Sequence, residues 1–317
     1  MIIELFKNLF YFRMDLIYSR TLFVLSFIFW SFFGAYGQIQ VAITIDDLPN
    51  IESGLLEKLD SLLIPVAIFI NEGIIHRGNQ PQEKSELLED WISRDYVLAG
   101  NHSYNHPRYS EVGADSFAVE VEKGETLTRA LTEKYSKSLH FFRFPFNDLG
   151  KDSLQHIQSA KLLEARNYQN APFTIESSDW MFNAIYKHYL EKGDRSEAIK
   201  TGQLYVAKTL EYFDFFESMA MDQYGREVKQ IYLCHDNQLN KDFLPELINK
   251  LKARNYNFIS LEEAMEDPIY TQEDKYYQKW GVSWFYRWMD QQDERLKLMR
   301  KEPDISESYQ LFEKLSN

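Results

Sequence analysis

Two adjacent carboxylates end a short apolar segment of the sequence. Asp46 and Asp47 follow the run VAITI (41–45), whose β-branched residues predict a buried strand. Neighbouring like charges repel, and a divalent cation would relieve this by binding one carboxylate and stabilising the other. Because adjacent strand residues point to opposite sides, one aspartate could bind the ion while the other acts as a base. An ordinary turn, for which Asp-Asp-x-Pro is a suitable sequence, is the alternative.

Two histidines with a spacing of four residues, His102 and His106, could complete such a site. In a helical turn this spacing places both imidazoles on one side, where they can bind the same ion. Two imidazoles and one carboxylate leave coordination positions open, which is typical of catalytic zinc sites. The same set also holds iron in non-haem oxygenases, and two histidines that bind no metal are a further alternative.

The elements that would position these side chains alternate between strand and helix. Strand-like runs lie at 41–45, 65–70, 96–102, 140–146, 172–180, 230–236 and 256–261. Helical stretches lie at 53–63, 84–93, 117–135, 151–164, 183–219 and 243–254. This alternation predicts an α/β fold with a parallel sheet, and about seven such strand–helix units suggest a (β/α) barrel. The strand ends carry Asp46, Asp47, His102, His106, Arg143, Asp179, Trp180, His235 and Asp236, which should converge on one face.

The two ends of the chain differ from this alternating part. An uncharged apolar run, TLFVLSFIFWSFF, follows Arg20, and small residues precede Gln38, which is the order of a cleaved signal peptide. An uncleaved membrane anchor is the alternative for residues 1–37. We therefore expect residues 38–266 to form an exported barrel, periplasmic or extracellular. Residues 267–317 are expected to form a helical extension packed on it.

Composition restricts the partners of the protein. The net charge of −13 at pH 7 argues against nucleic acid, because phosphates would be repelled. The single cysteine, Cys234, cannot form an internal disulfide, so export is inferred from the N-terminal segment alone. The aromatic stretch WGVSWFYRW (280–288) could cap the bottom of the barrel or extend a surface on which sugars stack.

The motifs TIDD, HSYNH, RFPF, SDW and LCHD occur in the order found in one enzyme family. From about Val41 to Leu261 the chain resembles the polysaccharide deacetylases, the NodB-homology carbohydrate esterases. The resemblance implies a distorted barrel with an incomplete set of strand–helix units. It also implies a metal-dependent hydrolase that removes acetyl groups, most often N-acetyl, from a polysaccharide or oligosaccharide.

The resemblance implies a role for each motif residue. Asp47, His102 and His106 would bind a divalent metal, usually zinc. Asp46 would be the base that activates water, and His235 would be the acid that protonates the leaving group.

Supporting roles follow from the same resemblance. Arg143 would orient the base, and Asp179 would support the network of Arg143 or of the acid. Backbone N–H groups near Phe146 would help to hold the oxyanion, while Trp180 and Leu233 would border the pocket for the acetyl methyl group.

The sequence departs from the family pattern at four positions. Ile45 replaces a common Phe, Leu48 replaces the Gly of Gly-Pro, Phe146 replaces a Tyr or Trp, and Asn147 replaces a Gly. The two lost glycines change loop shape and could redirect the substrate groove, whereas the metal and acid–base residues are retained. A glycan-binding member of the fold without catalysis, a hydrolase of another amide or imide, and an iron oxygenase are the alternatives.

Overall fold

A curved parallel sheet organises residues 38–316, the part of the chain that the computed structural model describes. Its strands are β1 (Gln40–Leu48), β2 (Val66–Ile70), β3 (Val97–Asn101), β4 (Phe141–Phe142), β5 (Gln169–Asn170), β6 (Ile175–Glu176), β7 (Gln230–His235) and β8 (Asn257–Phe258). Their order is β5-β4-β3-β2-β1-β7-β6, and β8 pairs with the start of β1. The sheet curls into a half-barrel with helices around it, which confirms the predicted α/β class and distorted barrel.

Helices connect the strands. They are α1 (Leu55–Asp60), α2 (Gly73–His76), α3 (Pro81–Ser93), α4 (Tyr109–Lys123), α5 (Thr126–Lys134), α6 (Ser153–Glu164), α7 (Asp179–Glu191), α8 (Arg195–Tyr224), α9 (Gln238–Ala253), α10 (Leu261–Met265), α11 (Trp284–Arg287), α12 (Gln292–Met299) and α13 (Ser306–Ser316). Short 3₁₀ turns cover Pro145–Asn147 and Pro268–Thr271. Within residues 38–316, no helix combines the length and the hydropathy needed to cross a bilayer. The expected signal segment, residues 1–37, lies outside the described residues.

The long strands β1, β2, β3 and β7 form the centre of the sheet. All five side chains of β2 are buried, and β1 is buried along most of its length. Strands that are covered on both faces are continuous apolar runs, which is why VAITI and VAIFI were recognisable in the sequence. These strands fix the positions of the residues that follow them.

Several predicted elements were wrong in detail. The strands predicted over 140–146 and 256–261 are two residues long, Phe141–Phe142 and Asn257–Phe258. The fifth strand, predicted over 172–180, is only two residues long, and α7 already begins at Asp179. The helix predicted over 117–135 is divided into α4 and α5, because the Glu72 carboxylate accepts the backbone N–H groups of Leu127 and Thr128 at the start of α5. The helix predicted over 183–219 is also two helices, since the Asp194 side chain caps the start of α8.

The C-terminal segment packs against the side of the sheet where β5 and β6 do not pair. Trp284 donates its backbone N–H to the carbonyl of Phe173 (3.0 Å), and the Ser283 hydroxyl donates to the carbonyl of Thr174 (2.6 Å). The ring of Phe285 stacks on Phe216 of α8 with centroids 5.8 Å apart. The segment therefore reaches the level of the site, where Trp280 and Gly281 line the same cavity as the motif residues.

Candidate active site

The two aspartates lie where the pairing of β1 becomes irregular. Register between β1 and β2 shifts between Ile45 and Leu48, and Asp47 has a left-handed backbone with φ of 67°. Asp46 keeps its place opposite His235 of β7 and is only 2% exposed. The Asp47 side chain is 40% exposed to the cavity. The bulge thus gives the two carboxylates different surroundings, one buried and one open.

Asp46 is held by a fully buried arginine. Arg143 donates from Nη1 to Asp46 Oδ1 (2.9 Å) and to the Thr44 hydroxyl (2.7 Å). Its other donors reach the carbonyls of Ala171 (3.2 Å) and Pro172 (3.1 Å). Burial lowers the pKa of Arg143 and the Asp46 charge opposes this, yet a guanidinium stays charged in proteins. The arginine therefore compensates the buried carboxylate and fixes its orientation.

The metal-ligand candidates converge. One ligand atom each of Asp47, His102 and His106 lies within 4.8 Å of the others. His102 Nε2 is 3.7 Å and His106 Nε2 is 3.4 Å from Asp47 Oδ1. His102 Nδ1 is 2.7 Å from the carbonyl oxygen of Arg143, which can only accept, so this nitrogen donates and Nε2 presents its lone pair. Two imidazole nitrogens and a carboxylate oxygen suit a divalent cation such as zinc.

Burial keeps both imidazoles neutral. It is the main cause that lowers the pKa of His102 to about 3, with a further contribution from His106. Burial also lowers the pKa of His106. Neutral imidazole is the form that binds a metal ion.

His102 and His106 lie on a bent loop and not on a helical turn, so the predicted helical turn was wrong. Ser103 and His106 both have left-handed backbones, with φ of 67° and 60°. The side chain of Asn101 accepts the Ser103 N–H (2.8 Å), and the Ser103 hydroxyl accepts the His106 N–H (3.1 Å). These local side-chain bonds replace the hydrogen bonds of a helix and bring both imidazoles to one side.

His235 forms a close ion pair with Asp179. Nδ1 of His235 lies 2.6 Å from Asp179 Oδ1, and the backbone N–H of His235 donates to Oδ2 (2.8 Å). Burial alone would lower the pKa of His235, but the Asp179 charge and hydrogen bond raise it to about 10. Burial raises the pKa of Asp179, and the His235 charge reverses this to a net lowering. Asp179 therefore supports His235, and the contacts of Arg143 do not include it.

Asp179 and Trp180 were expected at the end of a strand, which was wrong. They are the first two residues of α7, after Ser178 with its left-handed φ of 55°. The turn is fixed because the Ser178 N–H donates to Glu176 Oε1 (2.5 Å). The start of α7 nevertheless brings Asp179 to the end of β7.

The residues expected around the substrate line one cavity of about 1030 Å³. Phe146 and Trp180 are 45% and 46% exposed, whereas Leu233 is buried in the wall. The centroids of the Phe146 and His106 rings are 4.5 Å apart. The guanidinium carbon of Arg108 lies 3.9 Å from the centroid of the Phe146 ring. The structure thus brings the metal-ligand candidates, the acid–base candidates and the wall residues together.

The cavity is also lined by Arg108, Glu176, Asp236 and Trp280, four residues to which the sequence assigned no role in the site. Burial raises the pKa of Glu176, next to Asp179, to about 7 and that of Asp236 to about 7. Asp236 accepts the Asn50 N–H (3.0 Å) and so holds the loop after β1. Its position directly after His235 was the only sequence signal for these four besides the aromatic stretch that contains Trp280.

Comparisons with known proteins agree with the motifs. The family model described as polysaccharide deacetylase matches residues 34–165, which contain the first three motifs. A peptidoglycan-N-acetylglucosamine deacetylase of Bacillus cereus is 24% identical over 153 residues, 48% of this chain and 50% of that protein. This chain thus matches about half the length of that relative.

Similar solved structures cover a larger part of the chain. A CE4 family pseudoenzyme from Bacillus anthracis has 16% identity, a TM-score of 0.49, and coverage of 73% of this chain and 66% of its own. A peptidoglycan deacetylase from Bacillus subtilis has 18% identity, a TM-score of 0.47, and coverage of 73% and 93%. The family-model match over residues 34–165 confirms the resemblance to the polysaccharide deacetylases that the motifs indicated.

Proposed function

We propose that the protein is an exported, metal-dependent hydrolase that removes acetyl groups, in the first place N-acetyl, from a polysaccharide or oligosaccharide. The observation that carries the proposal is that one cavity contains two side-chain pairs, Asp46 with Arg143 and His235 with Asp179, beside the metal-ligand candidates. A carboxylate held by Arg143 and an imidazole held by Asp179 accompany the three metal-ligand candidates. Hydrolysis of an amide needs a base for water and an acid for the leaving amine, and these two pairs can supply them.

Asp46 is the proposed base. Arg143 occupies its Oδ1, while Oδ2 faces His102 Nε2 at 3.7 Å and is directed towards the ligand cluster. A carboxylate oxygen in this position can take a proton from a water molecule that attacks the acetyl carbonyl carbon. A divalent cation bound by Asp47, His102 and His106 would make that water more acidic and polarise the carbonyl.

His235 is the proposed acid. With a pKa of about 10 it is an imidazolium at neutral pH, and its Nδ1–H is engaged by Asp179. Nε2–H can then pass its proton to the sugar nitrogen as the bond between carbonyl carbon and nitrogen breaks. The products are acetate and a free amine. An amine cannot leave as an anion, so this proton transfer is essential to the reaction.

The cavity walls would orient the substrate. Phe146, Trp180 and Leu233 present apolar surface next to the ligand cluster, where the acetyl methyl group can be buried. The backbone N–H of Phe146, in the left-handed turn with φ of 57°, is the proposed oxyanion donor, because the N–H groups of Asn147 and Asp148 donate to carbonyls within the turn.

Acetate release from N-acetylated and O-acetylated oligosaccharides by zinc-loaded protein tests this proposal. Asp46→Asn should lower the rate by at least about 100-fold, the usual contribution of a general base. Asp115→Asn, at an exposed position of α4, is the matched control and should keep the wild-type rate. The hydrolase proposal fails if no substrate releases acetate, or if the Asp46 variant is as fast as wild type. Calorimetric binding without acetate release would indicate the non-catalytic glycan-binding alternative.

Export is the second part of the proposal. It is supported by the apolar run after Arg20 and the small residues before Gln38, within residues 1–37. N-terminal sequencing of protein recovered outside the cytoplasm should find a mature chain that begins at Gln38. Retention of the full chain in the cytoplasm would contradict export.

A further inference from the structure

We propose that Trp280 is a stacking platform for a sugar ring of the glycan, next to the ring that carries the reacting acetyl group. This inference rests on the proposed function, because it assigns a second binding position within the same cavity. Trp280 belongs to the C-terminal segment, whereas the family model matches residues 34–165 only. Four observations support the assignment.

Trp280 is close to the candidate metal ligands. The next residue, Gly281, is packed so tightly that a Cβ there would lie 2.3 Å from the carbonyl oxygen of Phe146 and 3.0 Å from Asn147 Cβ. Only glycine allows this approach. The Phe146 ring in turn contacts the His106 ring, with centroids 4.5 Å apart. The tryptophan is therefore attached directly beside the turn that carries the proposed oxyanion donor.

Trp280 is exposed where its aromatic neighbours are buried. Phe285, Tyr286 and Trp288 are at most 4% exposed and pack in the core. Trp280 is 54% exposed and lines the cavity. A half-exposed indole gains little from packing, so its position at the cavity wall suggests a use in binding.

The segment that carries Trp280 is braced. The buried guanidinium of Arg287 donates to Asp274 Oδ2 from Nη2 (2.5 Å) and Nε (3.2 Å), and Nη1 reaches the Trp280 carbonyl (3.5 Å). His156 of α6 holds the same Asp274 oxygen from Nδ1 at 3.2 Å. A platform that is ordered before the ligand arrives loses less entropy on binding.

The cavity has room for more than one ring. Its volume of about 1030 Å³ is at the upper end of the usual range for small-ligand sites. Phe146 and Trp180 already supply apolar surface in the same cavity. Lys279 Nζ lies over one face of the Trp280 ring, 5.0 Å from its centroid, so the neighbouring sugar would cover the opposite face. The C–H face of a pyranose is apolar and flat enough to cover an indole ring.

Binding of N-acetylglucosamine oligomers of one to six residues tests the proposal by calorimetry. The measurements use the zinc-loaded full chain with Asp46→Asn, so that turnover does not interfere. Adding Trp280→Ala should weaken binding of the longer oligomers by roughly 10-fold and leave the monomer within about 2-fold. Trp280→Tyr should restore most of the affinity. Tyr277→Ala is the matched control, because Tyr277 is a 42% exposed aromatic of the same segment that lines a different cavity.

The outcomes separate this inference from the proposed function. Equal affinity of the Trp280→Ala variant for all oligomers, an equal loss for monomer and oligomer, or no binding of any oligomer by the parent protein overturns the platform. Thermal unfolding of each variant reports whether the fold is intact, and a misfolded alanine variant leaves Trp280→Tyr and Trp280→Leu to decide by the same comparison. If oligomer binding depends on Trp280 while wild type releases no acetate, the platform stands and the hydrolase proposal fails.

Discussion

Replacing Asp179 by asparagine tests whether His235 works as a charged acid. Oδ2 of this carboxylate accepts from the backbone N–H of His235 and from the side-chain amides of Asn237 (3.0 Å) and Asn240 (2.5 Å). An asparagine must turn its only oxygen towards these donors. Its amide N–H₂ then faces His235 Nδ1, which has to accept and cannot carry a proton. The substitution therefore favours neutral imidazole at little cost in volume.

The size of the effect follows from the pKa of His235. In the wild type it is about 10, above the ordinary 6.5, because the Asp179 charge overcomes the opposing effect of burial. Without the carboxylate, burial is opposed mainly by the charges of Asp47 and Asp46, so we expect the pKa to fall to its ordinary value or below. A histidine with a pKa of 6.5 is protonated in about 3% of molecules at pH 8 and in about 75% at pH 6. The rate loss at pH 8 should therefore be at least about 30-fold and should shrink as the pH falls.

The assay is kcat between pH 5.5 and 9 on one acetylated oligosaccharide with saturating zinc. Taking the ratio of wild type to Asp179→Asn at each pH cancels the titration of the base, which both proteins share. Asp242→Asn, at an exposed position of α9, is the control and should give a ratio near one throughout. A wild-type to Asp179→Asn ratio that is the same at pH 6 and pH 8 would refute the assignment of His235 as an imidazolium acid.

Two further predictions concern the ion and the buried loop. Zinc should raise the melting temperature of wild type, because it binds the folded state. His106→Gln should abolish most of this shift. His76→Gln, a control at an exposed position, should retain it. Equal shifts in both variants would contradict the ligand set. Burial raises the pKa of Asp236 from 3.8 to about 7, so this carboxyl stabilises the fold fully below pH 3.8 and loses that contribution as pH rises towards 7. The unfolding free energy of wild type relative to Asp236→Asn should therefore fall by about 2–4 kcal/mol between pH 4 and pH 7, and a flat difference in chemical denaturation would contradict it.

The central strands and most of the site could be predicted because their signals are local. β1, β2 and β3 are continuous apolar runs, and polar residues at the ends of parallel strands must lie on one face. The motif spacing located the candidate ligands and the acid–base residues without any knowledge of the loop that joins them.

The bounds of the short strands β4, β6 and β8, the additional strand β5 and the remaining wall residues could not be predicted, because most of them depend on distant contacts. β4, β5, β6 and β8 have two residues each, and their pairing is imposed by the neighbouring strands. Asp179 starts a helix rather than ending a strand, since Glu176 fixes the turn before it. Trp280 reaches the cavity only because Ser283 and Trp284 bind the edge at Phe173 and Thr174. Apart from Glu176, these partners are distant in sequence.

Arg143 joins two parts of the site through chemically different groups. Its carbonyl oxygen sets the tautomer of His102, and its guanidinium holds Asp46. The first contact belongs to the main chain and survives any change of side chain that preserves the local backbone, whereas the second is lost with the guanidinium. Selection acting on position 143 can therefore remove the partner of the base without touching the ligand geometry. A variant without the guanidinium should therefore lose the partner of Asp46, the proposed base, and keep the carbonyl contact that orients His102.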